Sequence, residues 1–113
     1  MNQTTNVPLT VTPEAAARVA ELGMQRELEQ MLEHVRQAVP GLRTIAVELW
    51  DQYDLDVEPR VVILATMVSE NPVEDRTENA LGRWKVTTFS PDVCRHFVIL
   101  ILYEAWDGRQ SVS

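Results

Sequence analysis

Hydrophobic residues recur every three or four positions between residues 24 and 39, which is the spacing of one face of an α-helix. This stripe consists of Met24, Leu28, Met31, Leu32, Val35 and Val39. Pro40-Gly41 ends the helix. A preceding helix is predicted from about Pro13 to Leu22, because Thr12 is a good N-cap and Pro13 suits the first helical position. The N-terminal half is therefore predicted to be helical.

Two strands follow in the pattern. Residues 44–50 alternate, with Ile45, Val47 and Leu49 on one side. Residues 60–68 are apolar or β-branched at nearly every position, which is typical of a strand covered on both faces. The connection between the two strands is too short for a crossover helix, so the sequence predicts an antiparallel hairpin.

The C-terminal part repeats these signals. Asn71, Pro72 and Glu74 predict the start of a helix that runs to about Trp84, and Ser90-Pro91 predicts a helical turn. A third strand is expected from Phe97 to Trp106. The prediction is an α+β domain of order ααββαβ with a three-stranded sheet, spanning residues 9–107. Residues 1–8 are expected to form a flexible lead-in, and residues 108–113 a polar tail.

The predicted second and third strands are apolar on both sides, so both faces of the sheet need cover. Either the helices divide between the two faces, or another subunit covers one of them. The second arrangement predicts a homodimer, with Leu64 and Leu100 at its interface. Three tryptophans, Trp50, Trp84 and Trp106, each end an element, where an indole ring closes the rim of a core or contacts a partner.

Composition narrows the possible partners. The net charge of −7 disfavours nucleic acids and anionic membranes, and it suits solubility or docking onto a basic protein. Cys94 is the only cysteine, so an intramolecular disulfide is impossible. The first residues lack the pattern of a signal peptide, and the longest apolar run, Phe97 to Tyr103, is too short to cross a bilayer. The expected location is the cytoplasm, and no cofactor is implied.

One segment has the residue types of a metal site. Asp51, Asp54, Asp56 and Glu58 place four carboxylates within eight residues, and carboxylate oxygens are ligands for divalent cations. Asp54 and Asp56 would point to the same side of an extended chain. The glycines that would seat phosphates or shape an EF-hand loop are missing. The alternative is a solvated turn whose charges discourage pairing between sheet edges.

Two further candidate sites contain histidines. Cys94 and His96 are spaced as a thiol–imidazole pair, but the sequence supplies no group that would activate the thiol, which favours a buried structural cysteine beside a surface histidine. His34 lies one residue from the apolar stripe of its helix, and Gln30 stands one turn before it instead of a carboxylate. A boundary position for His34 is therefore favoured over metal binding.

Residues from about Thr12 to Trp106 resemble small bacterial α+β proteins of unassigned function. The similarity is carried by Val47-Glu-Leu-Trp-Asp, Val61-Val-Ile-Leu and Val98-Ile-Leu-Ile-Leu-Tyr-Glu. It implies no activity. The sequence therefore favours a small acidic, non-catalytic protein that binds another protein as a regulator or partner and forms a homodimer. The alternative is a metal-dependent enzyme or metal-binding protein that uses the loop of residues 51–58.

Overall fold

The computed structural model describes residues 7–51, 58–69 and 76–105. The chain forms an α+β fold, as the sequence predicts. Its elements, in chain order, are β1 (Leu9–Val11), α1 (Pro13–Leu22), α2 (Gln25–Ala38), β2 (Leu42–Trp50), β3 (Arg60–Ser69), α3 (Thr77–Thr88), α4 (Pro91–His96) and β4 (Phe97–Ala105).

The sheet has four strands in the order β1-β2-β3-β4, so the prediction of three strands was wrong. The missed strand, β1, has three residues and pairs in parallel with β2. Two backbone bonds of 3.0 Å flank this pairing, from Ile45 N–H to the Pro8 carbonyl and from Thr12 N–H to the Val47 carbonyl. The predicted order ααββαβ is accordingly corrected to βααββααβ. The two elements that the predicted order lacked are β1 and α4.

The other two strand pairs, β2 with β3 and β3 with β4, place their apolar residues side by side. β2 and β3 are antiparallel, which confirms the predicted hairpin, and β4 lies parallel to β3 at the edge of the sheet. A bulge interrupts the register of β2 between Leu42 and Thr44. The turn before it needs Gly41, whose φ is +64° and whose Cα approaches the β3 backbone so closely that a Cβ would lie 3.2 Å from the Val68 carbonyl oxygen.

The ends of α1 agree with the prediction from the sequence, whereas the ends of α3 do not. α1 spans Pro13–Leu22 as predicted, because the Thr12 hydroxyl accepts a hydrogen bond of 3.2 Å from Ala15 N–H and Gly23 adopts the left-handed conformation after the last turn. α3 ends at Thr88 rather than at Trp84, and its N-cap is Arg76. The predicted cap, Asn71, lies outside the described residues.

The core lies on one face of the sheet. Helical residues Ala15, Val19, Met31, Val35 and Leu81 pack there in one cluster with strand residues Ile45, Val47, Val61, Ile63, Ala65, Met67, Phe97, Ile99 and Ile101. Every one of these strand residues belongs to the same alternating set. The described helices therefore do not divide between the two faces.

Candidate functional site

The face of the sheet opposite the core is the principal candidate surface, and we call it the open face. It is formed by Thr10 of β1, by Thr44, Ala46, Glu48 and Trp50 of β2, by Arg60, Val62, Leu64, Thr66 and Val68 of β3, and by Val98, Leu100, Leu102 and Glu104 of β4. None of these residues belongs to the core cluster that the described helices cover. The open face is thus without a covering layer among the residues that the structure describes.

The centre of the open face is apolar. Across β3 and β4, Val62 lies beside Val98 and Leu64 lies beside Leu100. Leu102 follows at the next outward position of β4 and is 46% exposed. Leu64, Val98 and Leu100 are half-buried, whereas Val62 is only 1% exposed. A β-sheet normally buries such a face against another layer.

Charged side chains of both signs lie at the two ends of the open face. At one end, Arg43, which lies in the bulge of β2 and outside its alternation, reaches Glu104 on this side of the sheet at 3.0 Å, so that the pair bridges β2 and β4 across β3. At the other end, Glu48 accepts a hydrogen bond of 3.1 Å from the Trp50 indole, and Arg60 stands opposite Trp50. These two arginines and two glutamates leave the open face close to neutral, although the chain carries a net charge of −7.

The outer edge of β4 is capped by two side chains of α3. The Lys85 ammonium donates hydrogen bonds to the carbonyls of Phe97, at 2.7 Å, and Cys94, at 3.4 Å. The Glu78 carboxylate accepts a hydrogen bond of 2.7 Å from Ile101 N–H. Because a partner strand would need the Phe97 carbonyl and the Ile101 N–H of β4, α3 discourages the addition of a strand at this edge.

Loss of one of these caps should destabilise the fold modestly. Glu78→Ala removes the only described bond to Ile101 N–H, and we expect the free energy of unfolding to fall by about 1 kcal/mol, since the bond involves a charged group but is only partly buried. Urea denaturation measures the change. Arg83→Ala, at an exposed position of the same helix, is the matched control and should change stability less. Equal effects of the two substitutions would refute a capping role for Glu78.

The half-buried Lys85 is electrostatically unusual. Burial lowers the pKa of its ammonium, the neighbouring Cys94 raises it, and the positive charge of Arg60 lowers it. The Cys94 thiol donates to the Lys85 carbonyl at 3.4 Å and contacts the Phe89 carbonyl at 3.8 Å. His96 is buried, so the expectation of a surface histidine was wrong. Cys94 is half-buried rather than buried, and the described bonds of its thiol are to backbone carbonyls, which give it a structural role.

The acidic loop lies mostly outside the described residues, which include neither Asp54 nor Asp56. Asp51 is exposed. Glu58 accepts a hydrogen bond of 3.2 Å from Arg18, which also pairs with Glu21 at 2.9 Å. Within residues 7–51, 58–69 and 76–105, no three histidine, cysteine or acidic side chains are grouped so as to hold a metal ion. The metal-site interpretation therefore gains no support from the described part of the loop.

A surface groove of about 470 Å³ lies between α2 and α3. Its most distinctive feature is the stack of the His34 imidazole on the Trp84 indole, with ring centroids 3.8 Å apart and planes within 2°. Trp84 also contacts Phe89 edge-on at 5.4 Å. Burial lowers the pKa of His34. The stack places Trp84 at the rim of the core, one of the two roles that the sequence left open.

Acid should weaken the fold through His34. Because its pKa is lowered in the folded chain, the unfolded chain binds more protons below the ordinary pKa of about 6.5, and the free energy of unfolding falls as the pH drops. His34→Phe keeps an aromatic ring against Trp84 but cannot take up a proton. We therefore expect the melting temperature of this variant to fall less between about pH 7.5 and pH 5 than that of the unmutated chain. A variant with an unchanged pH profile would contradict this assignment.

The predicted interface residues have different positions in the structure. Trp50 is 43% exposed at one end of the open face, and Leu64 and Leu100 are half-buried at its centre. Trp84 lies on the helical side, and Trp106 is outside the described residues. Sequence reasoning missed the Arg43–Glu104 pair and the caps on β4, whose partners are far apart along the chain.

No described helix has both the length and the apolar composition needed to cross a membrane. Comparisons with protein families, with curated proteins and with solved structures found no match to this chain.

Proposed function

We propose that this protein is a non-catalytic binding protein that acts as a homodimer, in which the open face of one copy covers the open face of the other. The observation that carries the proposal is the apolar centre of the open face, which the described helices leave uncovered. Full burial of a large apolar side chain contributes roughly 1.5–3 kcal/mol, and in a single copy the half-buried Leu64 and Leu100 and the exposed Leu102 forfeit part of it. A second layer of sheet recovers part of this energy.

Charge supports a second copy as the occupant. The whole chain carries a net charge of −7, so two copies repel each other over most of their surfaces. The open face is different, because Arg43, Arg60, Glu48 and Glu104 balance one another there. Opposite charges at its ends can therefore pair between copies, and repulsion is smallest for face-to-face contact.

The available area also suits a dimer of modest affinity. The three long strands β2, β3 and β4 have nine or ten residues each, at about 3.3 Å per residue, and lie about 4.8 Å apart. Together they give the open face roughly 500 Å² per copy. Two copies would bury about 1,000 Å², which reaches the lower limit for a specific protein interface. We therefore expect dimerisation that depends on protein concentration.

The edges of the sheet are less suitable for binding. Lys85 and Glu78 cap the outer edge of β4, and β1 offers only three residues at the other edge. Strand addition needs a longer row of backbone donors and acceptors. The face of the sheet is therefore the surface that we assign to binding.

Site-specific photocrosslinking tests the proposal. A benzophenone side chain in place of Leu102, which is 46% exposed on β4, should give a covalent product of twice the chain mass in cells that produce the protein. The same group in place of Val86, which is 61% exposed on α3, is the matched control and should not. No doubled product at Leu102, or an equal yield at Val86, would overturn the proposal. A Leu102 adduct only with a different protein would also contradict the homodimer.

A further inference from the structure

We infer that the two copies pack with their strands antiparallel, so that each end of one open face meets the opposite end of the other. The inference rests on the proposed homodimer and specifies which residues of the second copy meet which. It follows from the distribution of charge along the open face. The ends differ, since Trp50 and Arg60 occupy one end, and Arg43 and Glu104 the other.

Symmetry restricts the possible arrangements. In a twofold dimer whose two sheets face each other, the axis lies in the plane between the sheets. Aligned sheets pack about 10 Å apart, with strand directions within about 30°. The axis therefore runs nearly along the strands, which joins like ends, or nearly across them, which joins opposite ends.

Joining like ends produces a conflict at Arg60. This residue lies on the central strand β3, so rotation about an axis along that strand places it against Arg60 of the second copy. The same rotation sets Arg43 against Glu104 of the second copy, but each of these residues already has its partner at 3.0 Å within its own chain. The arrangement thus adds a like-charge contact and little new attraction.

Joining opposite ends removes the conflict. Arg60 then lies over Val68 of the second copy, in the register row that contains Glu104. Trp50, which is 43% exposed, lies over Arg43 of the second copy, and a guanidinium above an indole is favourable. At the centre, Leu64 and Leu100 lie over their own counterparts. Arg60, which has no ion pair within its own chain among the described residues, thus gains a nearby carboxylate, and apolar groups meet at the centre.

A charge-swap experiment distinguishes the two arrangements. With opposite ends joined, Arg60→Glu puts a glutamate near Glu104 of the second copy at two symmetric places, and Glu104→Arg puts an arginine near Arg60. Each variant alone should dimerise roughly tenfold more weakly than the unmutated chain. An equimolar mixture of the two variants should regain the original affinity, because both contacts then join opposite charges.

Analytical ultracentrifugation measures these affinities, and circular dichroism checks that the variants stay folded, as expected for exposed side chains. With like ends joined, Arg60→Glu alone would not weaken the dimer, since two glutamates replace two arginines. That result, or a mixture no tighter than its components, would overturn the inference while leaving the homodimer intact. An unmutated chain that stays monomeric would instead refute the proposed function itself.

Discussion

Replacing Ile63 with alanine is expected to lower the free energy of unfolding by about 2–5 kcal/mol, the usual cost of truncating a buried aliphatic side chain. The Ile63 side chain points from β3 towards the helices and is fully buried in the core. The cost combines the lost burial of the side chain with the cavity that remains. Chemical denaturation at a protein concentration low enough to keep the chain monomeric measures the effect.

The adjacent residue provides the matched control. Leu64 has nearly the same volume as Ile63 but points to the open face, where it is half-buried. In the monomer, Leu64→Ala should therefore cost clearly less than Ile63→Ala, because its side chain has no covering layer among the described residues. Equal losses of stability would mean that the open face is covered within a single chain.

Leu102→Glu is expected to abolish dimerisation without unfolding the chain. The side chain is 46% exposed in a single copy, so the monomer tolerates a carboxylate there. In the dimer the same carboxylate would be buried in an apolar layer without a partner, which costs several kcal/mol in each copy. We expect a monomer at every accessible concentration in light scattering, with a circular dichroism spectrum like that of the unmutated chain.

The control for this substitution is Val86→Glu. Val86 is 61% exposed on α3, away from the open face, and its replacement adds the same negative charge. A general effect of net charge would act on both variants alike. If Val86→Glu dissociated the dimer as completely as Leu102→Glu, the open face would not be the interface.

The elements that the sequence predicted have strong local signals. The Thr12-Pro13 start and Gly23 give α1 its observed bounds, and the alternation of residues 44–50 assigns the two sides of β2 correctly. β1 was missed because three residues are too few to show a period. Arg76 caps α3 without a side-chain hydrogen bond, so its position leaves no recognisable sequence signal.

The candidate site was only partly predictable for a different reason. β3 and β4 are apolar on both sides, so the pattern shows that two faces need cover but not which one the helices choose. That choice depends on tertiary packing. The bonds that distinguish the open face and the capped edge join distant residues, namely Arg43 with Glu104 and Glu78 with Ile101. Such pairs have no signature in a single sequence.

The association state of the unmutated chain decides whether the open face is a dimer interface. Sedimentation equilibrium measures this state. A salt concentration of about 0.15 M, at which the Debye length is about 8 Å, limits the repulsion between two chains of net charge −7. The open face predicts a mass that rises from monomer towards dimer as the protein concentration increases from about 1 to 100 μM, the range of a small interface. A mass of 12.9 kDa throughout that range would show that the open faces of two copies do not associate.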